Sequence, residues 1–123
     1  MKLEGITEAP VNIAVFYTPN DEPVLGQTSM KEAGMYSVIC GIQNMWLMAR
    51  SLNIGMGWVS ILNEEKVKQV LNMPMTFQLI GYLCIGYVKE FGNVPELEIV
   101  GRETRKKRTD FIHHEIFNDR GHE

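Results

Sequence analysis

The chain has 123 residues, of which 45% are hydrophobic and 22% are charged. This composition is typical of a globular domain with a real core and excludes a disordered chain. The formal net charge of -3 argues against nucleic acid or an anionic membrane as the main partner, because both reward a basic surface. We therefore expect one domain over residues 1–123, in which any basic site is local.

The cysteine content indicates the compartment. Cys40 and Cys84 lie far apart in two apolar segments, which predicts neither a disulfide framework nor a zinc motif. The sequence shows no charged-then-apolar leader, and no uncharged apolar run reaches the roughly 18 residues of a membrane span. We expect a protein of the reducing cytoplasm without a membrane segment.

The N-terminal third predicts one strand between loops. Residues 3–10 combine charge, glycine and proline and are interpreted as a connection. The segment VNIAVFY at residues 11–17 alternates and is rich in β-branched and aromatic residues, which predicts a strand. Residues 18–23 are dense in turn formers and indicate a surface loop. Residues 29–32 (SMKE) have the spacing of a helix capping box.

Residues 36–52 form the strongest helical pattern in the sequence. Apolar residues recur there at three-and-four spacing, and Leu47 and Met48 make the opposite side apolar too. We expect this helix to be buried on most of its circumference and to end at Gly55 in the left-handed conformation. The apolar turn that follows at residues 58–62 carries one hydroxyl and is expected to form the wall of a binding site.

The second half predicts a short helix and a central strand. Asn63 is a good N-cap for a helix that reaches about Leu71. Residues 77–88 form a nearly continuous apolar run, which is typical of a strand inside a sheet. Residues 111–117 predict a short helix or an arm, and residues 121–123 are expected to fray.

Three patterns that suggest chemistry are weak. The string GMGWVS at residues 55–60 follows a helix and not a strand, so it is not a dinucleotide-binding fingerprint. The neighbours His113, His114 and Glu115 have no second cluster to complete a metal site, which favours a solvated terminus. The cations at residues 105–108 predict a solvated face, or at most a site for a single phosphate.

Three segments carry a resemblance to a known family. They are LEGITEAPVNIAV at residues 3–15, YSVICGIQNMWLMAR at residues 36–50 and, above all, GMGWVSI at residues 55–61. Together they resemble the BluB branch of the flavin-dependent nitroreductase superfamily, whose members are 5,6-dimethylbenzimidazole synthases. The pair Gln43-Asn44 in the helix, followed by the Gly-x-Gly-Trp-Val-Ser string, is characteristic of that branch.

The resemblance implies a fold and an assembly. The family fold is α+β, a nitroreductase-like three-layer structure in which helices flank a mainly antiparallel sheet. Family members are obligate homodimers that bind flavin between protomers, with the long helix in the interface. This implies a homodimer joined through residues 36–52, and an interface would explain why that helix is apolar on both sides.

The resemblance also implies the cofactor and its contacts. In the family, the turn after the long helix lies along the isoalloxazine ring of FMN, so Ser60, Ile61 and Leu62 are expected to contact the ring. Ser60 matches a serine associated with activity. A C-terminal basic pair two residues apart holds the FMN phosphate in the family, and Lys106 and Arg108 occupy the similar positions here.

The implied reaction is the oxygen-dependent fragmentation of reduced FMN to the lower base of vitamin B12. The alternatives are an FMN-dependent NAD(P)H nitroreductase or flavin reductase, and a catalytically inactive dimeric domain. Family members carry an N-terminal part with an arginine-serine motif for flavin and an aspartate thought to be catalytic, and this sequence starts after both. We therefore expect an N-terminally truncated domain that makes little or no product alone.

Overall fold

The structure, a computed structural model, describes residues 4–22 and 24–117. The fraying expected at residues 121–123 lies outside them. The chain forms two compact units, Met1–Lys89 and Glu90–Glu123. Within the described residues, no helix combines the length and hydrophobicity needed to cross a membrane.

A three-stranded antiparallel sheet organises the first unit. Its strands are β1 (Val11–Tyr17), β2 (Ile54–Val59) and β3 (Gln78–Tyr87), in the order β1-β3-β2. The predicted strands β1 and β3 are confirmed, and β3 is the central strand, as expected from its apolar run. Both edge strands therefore take their position from β3.

The core lies where the long helix α2 (Ala33–Ser51) packs on the sheet. Leu83 in β3 is fully buried, and Ile42 and Ala49 are the buried residues of α2. Gly34 allows a close approach between α2 and β1, because a Cβ atom there would lie 2.5 Å from the Tyr17 hydroxyl oxygen. The helical pattern at residues 36–52 is thus confirmed, and the helix begins one turn earlier than predicted.

Both predicted ends of this helix differ from the structure. At the N-terminus the capping position is Glu32, without a side-chain hydrogen bond, so the predicted capping box at residues 29–32 is wrong. At the C-terminus Asn53 adopts φ 58°, and Gly55 lies inside β2. Asparagine tolerates the left-handed region, and here the Arg50 guanidinium donates to Asn53 Oδ1 over 3.4 Å. The chain therefore turns before the glycine, and the first two residues of the predicted turn, Trp58 and Val59, belong to β2.

The prediction that α2 is buried on most of its circumference is wrong for the single chain. Only one stripe faces the sheet, and the outer side exposes large apolar side chains. They are Tyr36, Ile39, Leu47 and Met48. Ser37 and Gly41, which share one face in the sequence pattern, are exposed as well, and a Cβ atom at Gly41 would meet nothing within 4 Å.

Two short helices complete the first unit. The predicted connection at residues 3–10 instead contains α1 (Glu4–Glu8), and the Asn12 side chain donates to the Ile6 carbonyl over 3.2 Å. The helix α3 (Glu64–Val70) begins as predicted, because Asn63 Oδ1 accepts from the Lys66 amide over 2.9 Å. Asn72, with φ 53°, then turns the chain towards β3.

The second unit has little regular structure. It contains α4 (Glu96–Ile99), which the sequence did not predict, and a 3₁₀ turn at Arg108–Asp110. Gly101 ends the region of α4 with φ 68°, and the Arg102 amide donates to the Leu97 carbonyl over 2.9 Å. Residues 111–117 form turns and bends. Of the two alternatives predicted for this segment, the helix is therefore not observed, and an irregular arm fits better.

Candidate functional site

The segment at residues 60–62 connects the end of β2 to the start of α3. Ser60 and Ile61 are exposed, and 62% of the Ile61 surface is accessible. Leu62 is half-buried. Ser60 and Ile61, two of the three residues expected to contact the flavin ring, are therefore available to a ligand. The Leu62 side chain points partly into the unit itself.

The β2 end of this segment is fixed by a tryptophan packed on a glycine. Trp58 precedes the segment by two residues, and its indole lies over Gly81 of β3. A Cβ atom at position 81 would lie 3.0 Å from Trp58 Cε2 and 3.1 Å from Nε1. A side chain at position 81 would push the ring away from β3, so the glycine lets the indole pack closely on the central strand next to the end of β2.

The α3 end of the segment is fixed by a carboxylate. Glu64 Oε1 accepts from the Leu79 amide over 2.9 Å and from Lys68 Nζ over 2.8 Å. The Lys68 ammonium, whose side chain is only 8% exposed, also donates to the Met75 carbonyl over 3.2 Å. These contacts join the first two turns of α3 to the start of β3 across the intervening loop.

The electrostatics of this cluster keep Glu64 ionised. The hydrogen bond from Lys68, followed by that from the Leu79 amide, holds the pKa of the Glu64 carboxyl below its ordinary value of 4.5. A carboxyl with a lowered pKa is a poor proton donor near neutral pH. The lowered pKa therefore argues against a role for Glu64 as a general acid.

Leu62 lines an apolar pocket of about 210 Å³ in the first unit. The other lining side chains come from both short helices and β3; they are Ile6, Lys66, Val67, Val70, Leu71 and Tyr82. Tyr82 and the fully buried Leu83 are neighbours on β3 and so point to opposite faces of the sheet. The pocket therefore lies on the sheet face opposite the buried Leu83 side chain.

The basic segment lies in the second unit. Lys106 lines one pocket with Arg105, Lys107, Asp110 and Phe111, and its Nζ atom lies 5.6 Å from the Phe111 ring centroid. Arg108 lines another pocket with Thr109, Ile112 and His114. Lys106 and Arg108 are both exposed but face different pockets in this structure. The structure therefore brings Lys106 together with its basic neighbours and does not bring it together with Arg108.

The two histidines point in different directions, as expected for neighbours in sequence. The His113 ring packs against Phe117 with 4.7 Å between ring centroids and a 52° angle between the planes. His114 instead lines the Arg108 pocket. These histidines therefore take part in local packing and in a pocket wall.

Sequence reasoning missed the role of Lys68 and the reach of Glu64. The two residues are four positions apart on α3, a spacing that predicts an ion pair on one helix face. Nothing in the sequence indicates that this pair is bonded to an amide 15 residues further along the chain.

Comparisons with known proteins identify the family. Residues 1–87 match the model of the Nitroreductase family. The chain is 41% identical over 108 residues to a 5,6-dimethylbenzimidazole synthase of Rhodospirillum rubrum, covering 86% of this chain and 51% of the relative. It is 36% identical over 104 residues to a protein of that name from Rhodobacter capsulatus, covering 82% of this chain and 50% of the relative.

A solved structure supports the fold. A nitroreductase family protein from Clostridium difficile 630 superposes with a TM-score of 0.59 and 22% identity, covering 91% of this chain and 63% of that chain. The predicted α+β nitroreductase-like fold, with its antiparallel sheet and flanking helices, is confirmed. The chain spans about half the length of the curated relatives it matches. The chain belongs to the nitroreductase family.

Proposed function

We propose that the chain is an FMN-binding protein that serves the synthesis of 5,6-dimethylbenzimidazole from reduced FMN and molecular oxygen. The similarity to 5,6-dimethylbenzimidazole synthases over most of the chain carries this proposal. Its substrate in that reaction is FMN itself, which supplies the ring carbons of the product. No step beyond binding and orientation is assigned to the described residues.

The ring end of FMN is proposed to lie along residues 60–62. An exposed hydroxyl at Ser60 beside the exposed apolar side chain of Ile61 suits a flat ring with a polar edge. Ser60 is proposed as the catalytic residue, whose hydroxyl orients the ring through a hydrogen bond. Leu62 is proposed to support the ring from the half-buried side of the segment.

The phosphate end is proposed to bind Lys106 and Arg108. Both side chains are exposed cations, and charge-assisted hydrogen bonds to a dianion are the strongest contacts such side chains make. Lys106 lines a pocket that also holds the Asp110 carboxylate, and Arg108 lines a different pocket, so the proposal rests on the match of the two residues to the family's basic pair. We expect Lys106→Ala and Arg108→Ala each to weaken FMN binding by roughly 1.5–3 kcal/mol, the range for hydrogen bonds to charged groups. Riboflavin, which lacks the phosphate, should bind equally to the parent and both variants.

The binding experiment is direct. Purified chain is titrated into FMN, and quenching of flavin fluorescence gives the Kd for the parent chain, Ser60→Ala, Lys106→Ala and Arg108→Ala. The phosphate assignment is wrong if both basic variants retain the parent affinity while riboflavin binds as well as FMN. Loss of both FMN and riboflavin binding by the parent chain would refute the flavin proposal itself.

Activity of the chain alone is proposed to be low. Residues 57–62 contain no Asp, Glu or His to transfer the protons that breaking carbon bonds in FMN requires, and Glu64 is held ionised. Incubation with reduced FMN and oxygen, followed by mass spectrometry, should show little or no dimethylbenzimidazole. Abundant product that disappears in Ser60→Ala would contradict this expectation.

The same incubations separate the alternative functions. Oxidation of NAD(P)H with a nitroaromatic compound or free flavin, without dimethylbenzimidazole, would favour a nitroreductase or flavin reductase, and the Nitroreductase family match supports this second candidate. FMN binding with neither reaction, even after the N-terminal part of a relative is added, would favour the inactive dimeric domain.

We also propose a homodimer joined through residues 36–52, in the cytoplasm. The exposed apolar side of α2 supports the dimer, because contiguous apolar surface on a single chain favours association. The two free cysteines are consistent with a reducing compartment. Light scattering that gives the mass of a stable monomer at micromolar concentration would refute the dimer.

A further inference from the structure

The segment at residues 60–62 is attached at both ends to the same strand. Val59, at the end of β2, pairs with Tyr82 of β3, and Glu64, at the start of α3, accepts from the Leu79 amide of β3. We propose that Glu64 is a positioning residue that holds residues 60–62 in place for a flavin ring. This inference rests on the proposed function for its ligand, but not for its geometry.

The dimensions leave the segment little freedom. Tyr82 and Leu79 are three residues apart on one strand, which corresponds to about 10 Å. The five virtual bonds from Val59 to Glu64 can span at most about 17 Å when fully extended. Fixing both ends on β3 therefore restricts the paths that the Ser60 hydroxyl can follow. Without the Glu64 contact, the α3 end of the segment would lose its direct hydrogen bond to β3 and would be held only indirectly, through Lys68 and the half-buried Leu62.

The Glu64 contact is itself supported from behind. The single oxygen Oε1 accepts from both the Leu79 amide and Lys68 Nζ, so the ammonium orients the carboxylate towards β3. Lys68 is in turn held by the Met75 carbonyl and is 7% exposed as a residue. A buried ammonium with few alternative partners keeps its geometry, which makes the carboxylate a fixed anchor.

Helix stability alone does not explain this arrangement. The N-terminus of α3 already has its cap, because Asn63 accepts from the Lys66 amide. Glu65 lies in the same first turn and provides a second acidic residue for the helix dipole. What distinguishes Glu64 from Glu65 is the bond to β3 together with the Lys68 pair that supports it, and so the two residues form a matched pair for a test.

The experiment compares four variants of the full chain with the parent. Glu64→Ala removes the anchor, and Glu64→Gln keeps a side-chain oxygen of the same reach that accepts from the Leu79 amide. Glu65→Ala removes an acidic residue from the same turn. Ile42→Val loosens the core in α2 without touching α3 or the segment. The measurements are the amide NMR signals of Ser60 and Ile61, the exchange rate of the Leu79 amide, and the Kd for FMN.

Glu64→Ala should shift the Ser60 and Ile61 signals and speed exchange at Leu79. It should also raise the Kd for FMN about tenfold, by analogy with metal sites, where loss of a supporting contact costs roughly 10–100-fold in affinity. Glu64→Gln should keep the Ser60 and Ile61 signals, the Leu79 exchange rate and the Kd for FMN close to those of the parent. Glu65→Ala and Ile42→Val should leave the Ser60 signal and the Kd unchanged, although Ile42→Val lowers thermal stability. If Glu64→Ala does not fold, Glu64→Gln is compared with Glu65→Gln instead. The Ser60 signal should then shift in Glu64→Gln, by less than is expected for Glu64→Ala, and should not shift in Glu65→Gln.

The inference is overturned if the Ser60 and Ile61 signals of the Glu64 variant match the parent, or if Glu65→Ala or Ile42→Val shifts them as much. If the parent chain binds no FMN, the flavin proposal fails, and the NMR and exchange measurements still decide whether Glu64 positions the segment. A third outcome is that FMN binds and that Glu64→Ala shifts the NMR signals and the Leu79 exchange rate but leaves the Kd for FMN unchanged. In that case the segment is not positioned for the ring, and the inference is wrong.

Discussion

The contact between Trp58 and Gly81 gives a sharp quantitative prediction. A Cβ atom at position 81 would lie 3.0, 3.1 and 3.3 Å from Cε2, Nε1 and Cζ2 of the indole. Carbon atoms in ordinary contact are about 3.5–4.0 Å apart, so Gly81→Ala forces the ring to move by roughly 0.5 Å. Overpacking of this kind costs about 1–3 kcal/mol.

A smaller opposing effect reduces this cost. Gly81 is not among the glycines with positive φ, so alanine fits its backbone and gains about 0.4–1 kcal/mol by restricting the unfolded chain. The net change expected for Gly81→Ala is a loss of about 1 kcal/mol. For a chain of this size that corresponds to a fall of roughly 4 °C in Tm.

The matched control is Gly57→Ala in β2. A Cβ atom at Gly57 would meet nothing within 4 Å, so only the gain from the unfolded chain remains, and stability should rise by about 0.5 kcal/mol. Both variants are measured by urea unfolding in a Trp46→Phe background, where Trp58 is the remaining tryptophan. Gly81→Ala should also change the emission maximum of Trp58, because the ring must leave its position on β3.

Equal stability of the two glycine variants would refute this reasoning, since it would mean that the indole does not occupy the space above Gly81. An unchanged Trp58 emission in Gly81→Ala would refute it as well. If Gly81→Ala and Gly57→Ala lose the same amount of stability, alanine is unfavourable in this sheet for a reason other than contact with the indole.

Three further predictions concern ionisable side chains of the first unit. Glu64 has a folded pKa below its ordinary value of 4.5, so its ion pair contributes stability above that pH and loses it as the pH falls through the folded pKa. We therefore expect the unfolding free energy of the parent to fall more steeply than that of Glu64→Gln below about pH 5, measured by urea titration at a series of pH values. Lys68→Met leaves a backbone carbonyl without its donor and should cost about 1–2 kcal/mol, whereas the exposed control Lys66→Met should change stability by less than about 0.5 kcal/mol. With a thiol reagent, Cys40 should react faster than Cys84, because Cys84 is half-buried and burial raises the pKa of its thiol. If the exposed side of α2 is a dimer interface, the reaction rate of Cys40 should fall as the protein concentration rises. Equal rates for the two thiols at low concentration would contradict the burial of Cys84.

Much of the fold of the first unit could be predicted from local pattern. The alternation at residues 11–17 gave β1 with the correct bounds, and the continuous apolar run at residues 77–88 gave a central strand. Asn63 identified the start of α3, because an N-cap acts within one turn of its own helix. Features that depend on a few neighbouring residues could therefore be predicted from the sequence.

The errors arose where two local signals compete. Both Asn53 and Gly55 tolerate the left-handed conformation, and the sequence does not show which of them ends α2. Pairing of residues 54–59 with β3 decides the matter, because it places Gly55 opposite Gly86, where a Cβ atom would collide with the Val88 side chain. Likewise the capping box at residues 29–32 matched a spacing, but the helix begins at Ala33.

The candidate site shows the same division. Ser60, Ile61, Lys106 and Arg108 were identified through a resemblance, and the structure adds that Lys106 and Arg108 line different pockets. The contact of Glu64 with Leu79 depends on how the loop after α3 returns to the sheet. That return is a tertiary property, because it joins residues whose separation in sequence carries no periodic signal.

The central strand explains why the segment at residues 60–62 lies where it does. β3 provides the glycine under Trp58 and the amide bonded to Glu64, so both ends of the segment follow its register. A shift of β3 by one residue would turn Gly81 to the other face of the sheet and replace it with a larger side chain beneath the indole. It would also move the Leu79 amide away from the carboxylate. The apolar run of β3, whose burial at Leu83 fixes that register, therefore controls the position of an exposed hydroxyl on another segment of the chain.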